Sequence, residues 1–322
     1  MTTLFAILLA LNTYHVGRTI SLGGEGGWDY INADHATHRI YVSHGTEVDV
    51  LDETSGGHVG TIANLSGVHG IAIAHDLGRG FISNGRSGMV TVFDLKTLKS
   101  IGEWKATGDN PDSILYANKR VYTFNGRGKN VTVFDATNGS VIATIALDGK
   151  PEEAKIDGNR LFINLEDKGE IAVVDLKSHT VATRWKMTDC EEPTGLALDA
   201  AHHRLYATCS ESKKLAVVDT VTGHTVTTVP IGSGVDGCAF DAEKHLIFAS
   251  AGEGVLTIIN AESPSKYEVV GNVPTMRGAR TISIDPTTHH LFLPTAKFGT
   301  PAKEGARPPV VPGSFMVLEV VP

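Results

Sequence analysis

Residues 68–109 read VHGIAIAHDLGRGFISNGRSGMVTVFDLKTLKSIGEWKATGD. Four short segments, IAIA, GFISN, MVTVFD and KSIGEWK, alternate or run apolar over about four to six positions and are separated by turn residues. They make one antiparallel unit of four strands. The third strand and the Asp that ends it recur along the chain: EVDVLD to Asp52, MVTVFD to Asp94, NVTVFD to Asp135, EIAVVD to Asp175, KLAVVD to Asp219 and VLTIIN to Asn260. A repeat of 40 to 44 residues with four strands in each predicts propeller blades.

The chain has 322 residues, 41% hydrophobic and 20% charged, enough to bury a full core. Seven blades of this period use nearly all of it, so we expect one closed all-β domain over residues 14–322 and no linker that divides it. Blades one to six occupy 28–67, 68–109, 110–150, 151–192, 193–234 and 235–278, and blade seven starts at Ala279. Residues 14–22, YHVGRTISL, match fourth strands such as VIATIAL but have no three strands before them. A ring solves this by letting the N-terminal strand complete the last blade. Glycine is frequent, at 35 residues, as a chain of tight turns requires. A net charge of −8 leaves no basic footprint for a phosphate backbone and argues against a nucleic-acid partner.

The apolar run at 4–11, LFAILLAL, is too short to span a bilayer and has the length of a signal-peptide core. It lacks a basic region before it and a clean cleavage site after it, so residues 1–13 read either as the remnant of a signal peptide or as a frayed apolar end. The signal reading carries a periplasmic or secreted location and no membrane span after signal removal. Blade seven holds one irregularity, TAKFGTPAKEGARPPVVP at 295–312, a Pro- and Gly-rich insertion expected to form a long loop.

The segments RIYVSHG at 39–45, VFDLKT at 92–97, VVDTVTGHTVTTVPIG at 217–232 and TISIDPTTHHLFL at 281–293 resemble the YVTN-repeat, YncE-like family of bacterial, often exported, seven-bladed propellers. The resemblance spans residues 14–322. The YVTN tetrapeptide itself stands only as variants, YVSH and FISN. What the resemblance implies is the seven-bladed fold and export; it names no activity, since propellers host binding proteins, scaffolds and enzymes alike.

In a propeller the links into strand a and the loops from b to c share one end, the top. Eleven of the fourteen histidines fall in bottom turns and read as solvated turn residues, and His15 lies in the closing strand. His44 and His69 are left at the top. Entrances to strand a carry Asp29, His69, Asp112, Glu152, Thr194, Asp236 and Arg280 in successive blades, around the channel. The b-to-c side adds Asn84 with Arg86, Asn125 with Arg127, and Asn164 with Glu166. Asn-Gly-Arg occurs at both 84–86 and 125–127, where Asn-Gly predicts a tight turn from which Arg projects. We take His44, His69, Arg86, Arg127, Glu166, Asp236 and Arg280 as the candidate ligand site, flanked by the loop at 295–312. Such a set suits a small polar or anionic ligand; the bland alternative is rim salt bridges and hydrogen-bonded loop residues.

No G-x-S-x-G, H-E-x-x-H, P-loop or C-x-x-C is present, so no motif demands an enzyme, a metal or any cofactor. GGEGGW at 23–28 is followed by no helix and is not a phosphate loop. His44 and His69 with Glu152, Glu166 or Asp236 offer metal-ligand chemistry at the top face, but without supporting spacing. Cys190 and Cys209 sit in two loops that open on the top face and are expected to bridge, while Cys238 in VDGCAF is expected to be a buried free thiol. Three functions remain open. The first is an exported, monomeric propeller binding a small molecule or protein partner at the channel mouth. The second is a hydrolase, lactonase or metal-dependent redox enzyme using the same His, Arg and carboxylate set. The third is a scaffold.

Overall fold

The computed structural model describes residues 14–301, 303 and 308–322. The apolar run at 4–11 and residues 302 and 304–307 of the insertion lie outside them. Seven four-stranded antiparallel sheets form, and in the first six blades strands a, b, c and d follow in chain order. The seventh is assembled from both ends of the chain. His15–Ser21 pairs with Met316–Val321, Thr19 opposite Leu318, and completes a sheet that continues through Leu291–Thr295 to Ser283–Ile284. This closure leaves no open edge between the first blade and the last.

Burial explains the sequence pattern. Strands b and c are covered by neighbouring blades on both faces, so VTVF at the centre of Met89–Asp94 is wholly buried rather than alternating. Ser100–Lys105, the outer strand of the same blade, stays mostly exposed. Phe81, Phe93, Phe124, Phe134, Phe162, Phe248 and Phe292 are fully buried in this layered core. The recurring Asp at the end of strand c is a turn device: Asp94 Oδ1 accepts the Thr97 amide at 2.7 Å, and Asp219 Oδ1 the Thr222 amide at 2.8 Å.

Three features position the top of the ring. First, the register of strand a against strand b shifts where the strand begins, between Val68 and Ile71, Pro111 and Ile114, Pro151 and Ala154, Pro193 and Leu196, and Val235 and Gly237. His69, Asp112, Glu152, Thr194 and Asp236 each lie inside such a bulge, which re-aims a side chain out of the sheet. Second, hydroxyls reach across to the backbone of these positions in the next blade: Ser113 Oγ donates to the Glu152 carbonyl at 2.6 Å, Ser250 Oγ to Arg280 at 2.6 Å and Thr281 Oγ1 to Asp29 at 2.6 Å. Third, inner strands crowd at the axis, where a Cβ on Gly195 would lie 2.6 Å from the Cys238 nitrogen.

Cys190 and Cys209 are disulfide-bonded with their Cα atoms 5.2 Å apart, and Cys238 is free and buried. The insertion departs from the expected structureless loop. Phe298 and Val310 form a β-bridge, the Gly299 amide donates to Pro309 O at 2.8 Å, and Phe298 packs on Trp28 at 6.1 Å. Apolar side chains at the foot of the insertion give it this short stem beside the start of blade one.

Candidate functional site at the channel mouth

The inner strands enclose a channel of about 340 Å³, lined below its mouth by Asn32, Ser113, Glu153, Lys155 and Cys238 among others. At the mouth, charged groups from five successive blades join in one chain of alternating sign. Arg280 Nε donates to Asp236 Oδ2 at 2.7 Å, and its Nη2 lies 3.6 Å from Asp29. His69 Nδ1 is 2.5 Å from Asp29 Oδ2 and 3.4 Å from Asp112 Oδ1. On the other side, Lys150 Nζ meets Glu152 at 2.7 Å and also contacts Glu166. Lys150 was not singled out in the sequence. Its only signal was a base in the link before blade four, two residues ahead of an entrance acid.

The charges do not balance. Asp29, Asp112, Glu152, Glu166 and Asp236 face Arg280, Lys150 and His69. Burial and then the charge of Asp29 hold the Asp112 carboxyl well above the usual carboxylate range. Burial and Asp112 do the same to Glu152 despite Lys150, and burial does so to Asp236 despite Arg280. For His69, burial works against the charged imidazole. The Asp29 hydrogen bond and the nearby carboxylates outweigh it and raise its pKa to about 9. The mouth is thus a part-buried site with surplus acid and a charged imidazole. Asp29, His69 and Asp112 also have ligand atoms within 4.8 Å of one another, close enough for a metal.

The remaining candidates lie elsewhere. His44 is buried at 2% exposure, stacks on Phe315 at 4.1 Å and places Nδ1 3.2 Å from Asp49. It stands apart from the ring because its side chain turns between the first and last blades, under Gly24 and Gly26. With Glu47 and Asp49 it forms a second cluster of metal-ligand type, in which Asp49 also accepts from Thr61 and lies 3.2 Å from His58. Arg86 and Arg127 are exposed, and neither has an ion pair among the described residues. The Asn-Gly-Arg reading is corrected in one respect: the left-handed turn residue is Gly88, φ 68°, not Gly85. Gly85 instead makes room for the imidazole, since a Cβ there would lie 2.5 Å from His69 Nε2. Asn84 and Asn125 are buried and donate to Thr91 and Thr132 of the next strand.

The bottom histidines also differ from the solvated residues expected. His75, His202 and His289 each sit 2.7 Å from a buried Asp: Asp34, Asp199 and Asp241.

No protein-family model matches the chain, and no curated protein matches it in sequence. Among solved structures it is similar to hydrazine synthase of Kuenenia stuttgartiensis, with a TM-score of 0.75 and 16% identity over 86% of this chain and 94% of that one. It is also similar to U3-55K, with a TM-score of 0.78 and 9% identity over 94% and 97%. A structure of the mitotic checkpoint complex aligns with a TM-score of 0.76 and 15% identity over 87% and 88%. At these identities the likeness speaks to fold alone. Together with the seven sheets of the chain itself, it establishes a seven-bladed β-propeller.

Proposed function

We propose that this propeller binds a small polar ligand at the top mouth of its channel, through a cationic group of the ligand held by Asp29, Asp112, Glu152 and Asp236. The observation that carries the reading is the crowding of partly buried carboxyls around three cations that are already paired. Adding a positive charge there offsets the burial, and the repulsion added to it, that keep Asp112, Glu152 and Asp236 raised. Arg86 and Arg127, without an ion pair among the described residues, are the groups left for an anionic part of the same ligand. This shifts the expectation from an anion toward a cation or zwitterion, because Arg280 is engaged by Asp236 and Asp29. We further read the protein as an exported, YVTN-repeat, YncE-like propeller. The quoted repeat segments, the apolar run at 4–11 and the Cys190–Cys209 bridge support that reading.

A thermal-shift screen of small amines, guanidinium compounds, amino acids and inorganic anions at pH 6 and pH 8.5 tests it. Amines or amino acids should raise Tm, and more at pH 8.5, where the raised carboxyls ionise. For a compound found this way, Asp112→Asn or Asp236→Asn should weaken binding by about 1.5–3 kcal/mol, the worth of a charge-assisted contact. His203→Ala, an exposed bottom turn, should leave it unchanged. Stabilisation by anions alone, lost in Arg86→Ala and Arg127→Ala, would replace the cation by an anion. No response to any compound would favour a scaffold.

A further inference from the structure

The Asp at the bottom end of strand a recurs as Asp34, Asp199, Asp241 and Asp285, all more than nine-tenths buried. The first three meet a histidine at 2.7 Å. Asp285 does not. Its Oδ1 accepts the Thr287 and Thr288 amides and the Thr287 hydroxyl, while its Oδ2 is buried with no hydrogen-bond partner. Across the seam between blades seven and one it meets another acid, Glu53. That carboxyl is 4% exposed, with Oε2 likewise buried and without a hydrogen bond, and with Thr288 Oγ1 at 3.4 Å from Oε1. Arg18 of the closing strand reaches this seam, but serves the carbonyls of Glu53 and Thr54 and the carboxylate of Glu319.

Glu53 is unusual by position as well. It follows the Asp that ends strand c, where the next five blades carry Leu95, Ala136, Leu176, Thr220 and Ala261. The third group at this seam is His38, whose Nδ1 lies 3.7 Å from Glu53 Oε2. The backbone ties the two turns together, since the Glu53 amide donates to His38 O at 2.9 Å. One nitrogen of His38 and one carboxylate oxygen each of Glu53 and Asp285 lie within 4.8 Å of one another.

Two buried carboxyls facing each other either share a proton or hold a cation between them. We propose that His38, Glu53 and Asp285 form a site for one divalent cation of the zinc class, which fastens blade one to blade seven beside the closing strand. One imidazole with two carboxylates is the donor set of Zn²⁺ and similar cations; Mg²⁺ and Ca²⁺ are held by oxygen alone. The His38 side chain is 59% exposed, so the open side of the site admits water as a fourth ligand. The role is structural, because the site joins the two ends of the ring and lies at the face opposite the mouth.

The full chain, stripped with EDTA and dialysed, is titrated with Zn²⁺ by calorimetry and by thermal shift. We expect one Zn²⁺ per chain, a rise in Tm, and little response to Mg²⁺ or Ca²⁺. His38→Ala, which touches only an exposed side chain, and Glu53→Gln should each weaken binding about tenfold or more. His203→Ala should not. The proposal falls if no stoichiometric binding appears, or if His38→Ala and Glu53→Gln bind as the parent does. It also falls if Asp112→Asn at the mouth abolishes binding. A parent whose stability rises in mild acid and ignores Zn²⁺, with Glu53→Gln removing that rise, would mean that the carboxyls share a proton instead.

Discussion

The two ends of the inner strands carry the same residue types and treat them in opposite ways. At the bottom, Asp34, Asp199 and Asp241 are buried one by one, each against a single histidine at the edge of a blade. At the mouth, Asp112, Glu152 and Asp236 are turned by the strand bulges toward a common axis, where Asp29 joins them and their charges add. Acid held singly by a partner fastens neighbouring turns; acid gathered without enough partners leaves the protein a preference for an incoming cation. Only the second arrangement opens on a channel. Substitutions should therefore have opposite signs at the two ends.

The largest effect is expected where the ring is fastened. A chain beginning at Gly23 lacks the closing strand, loses the pairing of Thr19 with Leu318 and of Arg18 with Glu319, and frees an edge at the seam of blades seven and one. Its Tm should fall by on the order of 10 °C. A melting curve that hardly moves would mean that the last blade holds without it. Smaller, and specific to the bottom, is His289→Ala. It removes the ring nitrogen 2.7 Å from the Asp241 carboxylate, which is 1% exposed. Chemical denaturation should show a loss of about 1–3 kcal/mol. A gain would erase the contrast between the two ends.

The blades were legible because face-to-face packing makes strand c a short apolar run and the following turn needs its Asp, so Asp94 and Asp219 stand out at a fixed period. Entrance residues were legible for a related reason: equivalent places in every blade face one axis. His44 shows the limit. Knowing that it lies in a top loop does not tell which way its ring turns, and its partner Phe315 comes from the far end of the chain. Gly85 looked like a turn residue, but its reason is the His69 imidazole beside it, a contact between two strands that no local pattern records. Lys150 and Glu166 meet only because the link and the b-to-c loop share one end of blade four. The bottom clasps were missed because a turn histidine facing only water and one bound to a buried Asp have the same sequence setting.

The surplus of acid at the mouth is tested most directly by the stability of Glu152→Gln between pH 5 and pH 9. The change keeps the shape of the side chain, and Lys150 retains Glu166. Burial and the charge of Asp112 hold the Glu152 carboxyl well above its ordinary value, despite Lys150. A raised carboxyl lends stability that is fully present below the unfolded value, about 4.3, and is lost as pH rises through the folded value. The variant should therefore gain steadily on the parent as pH rises from 5, and be the more stable of the two by on the order of 1 kcal/mol or more as pH approaches 9. A variant that is less stable than the parent at pH 9 would show that the Glu152 carboxylate is satisfied by Lys150, and would contradict an acidic mouth held ready for a cation.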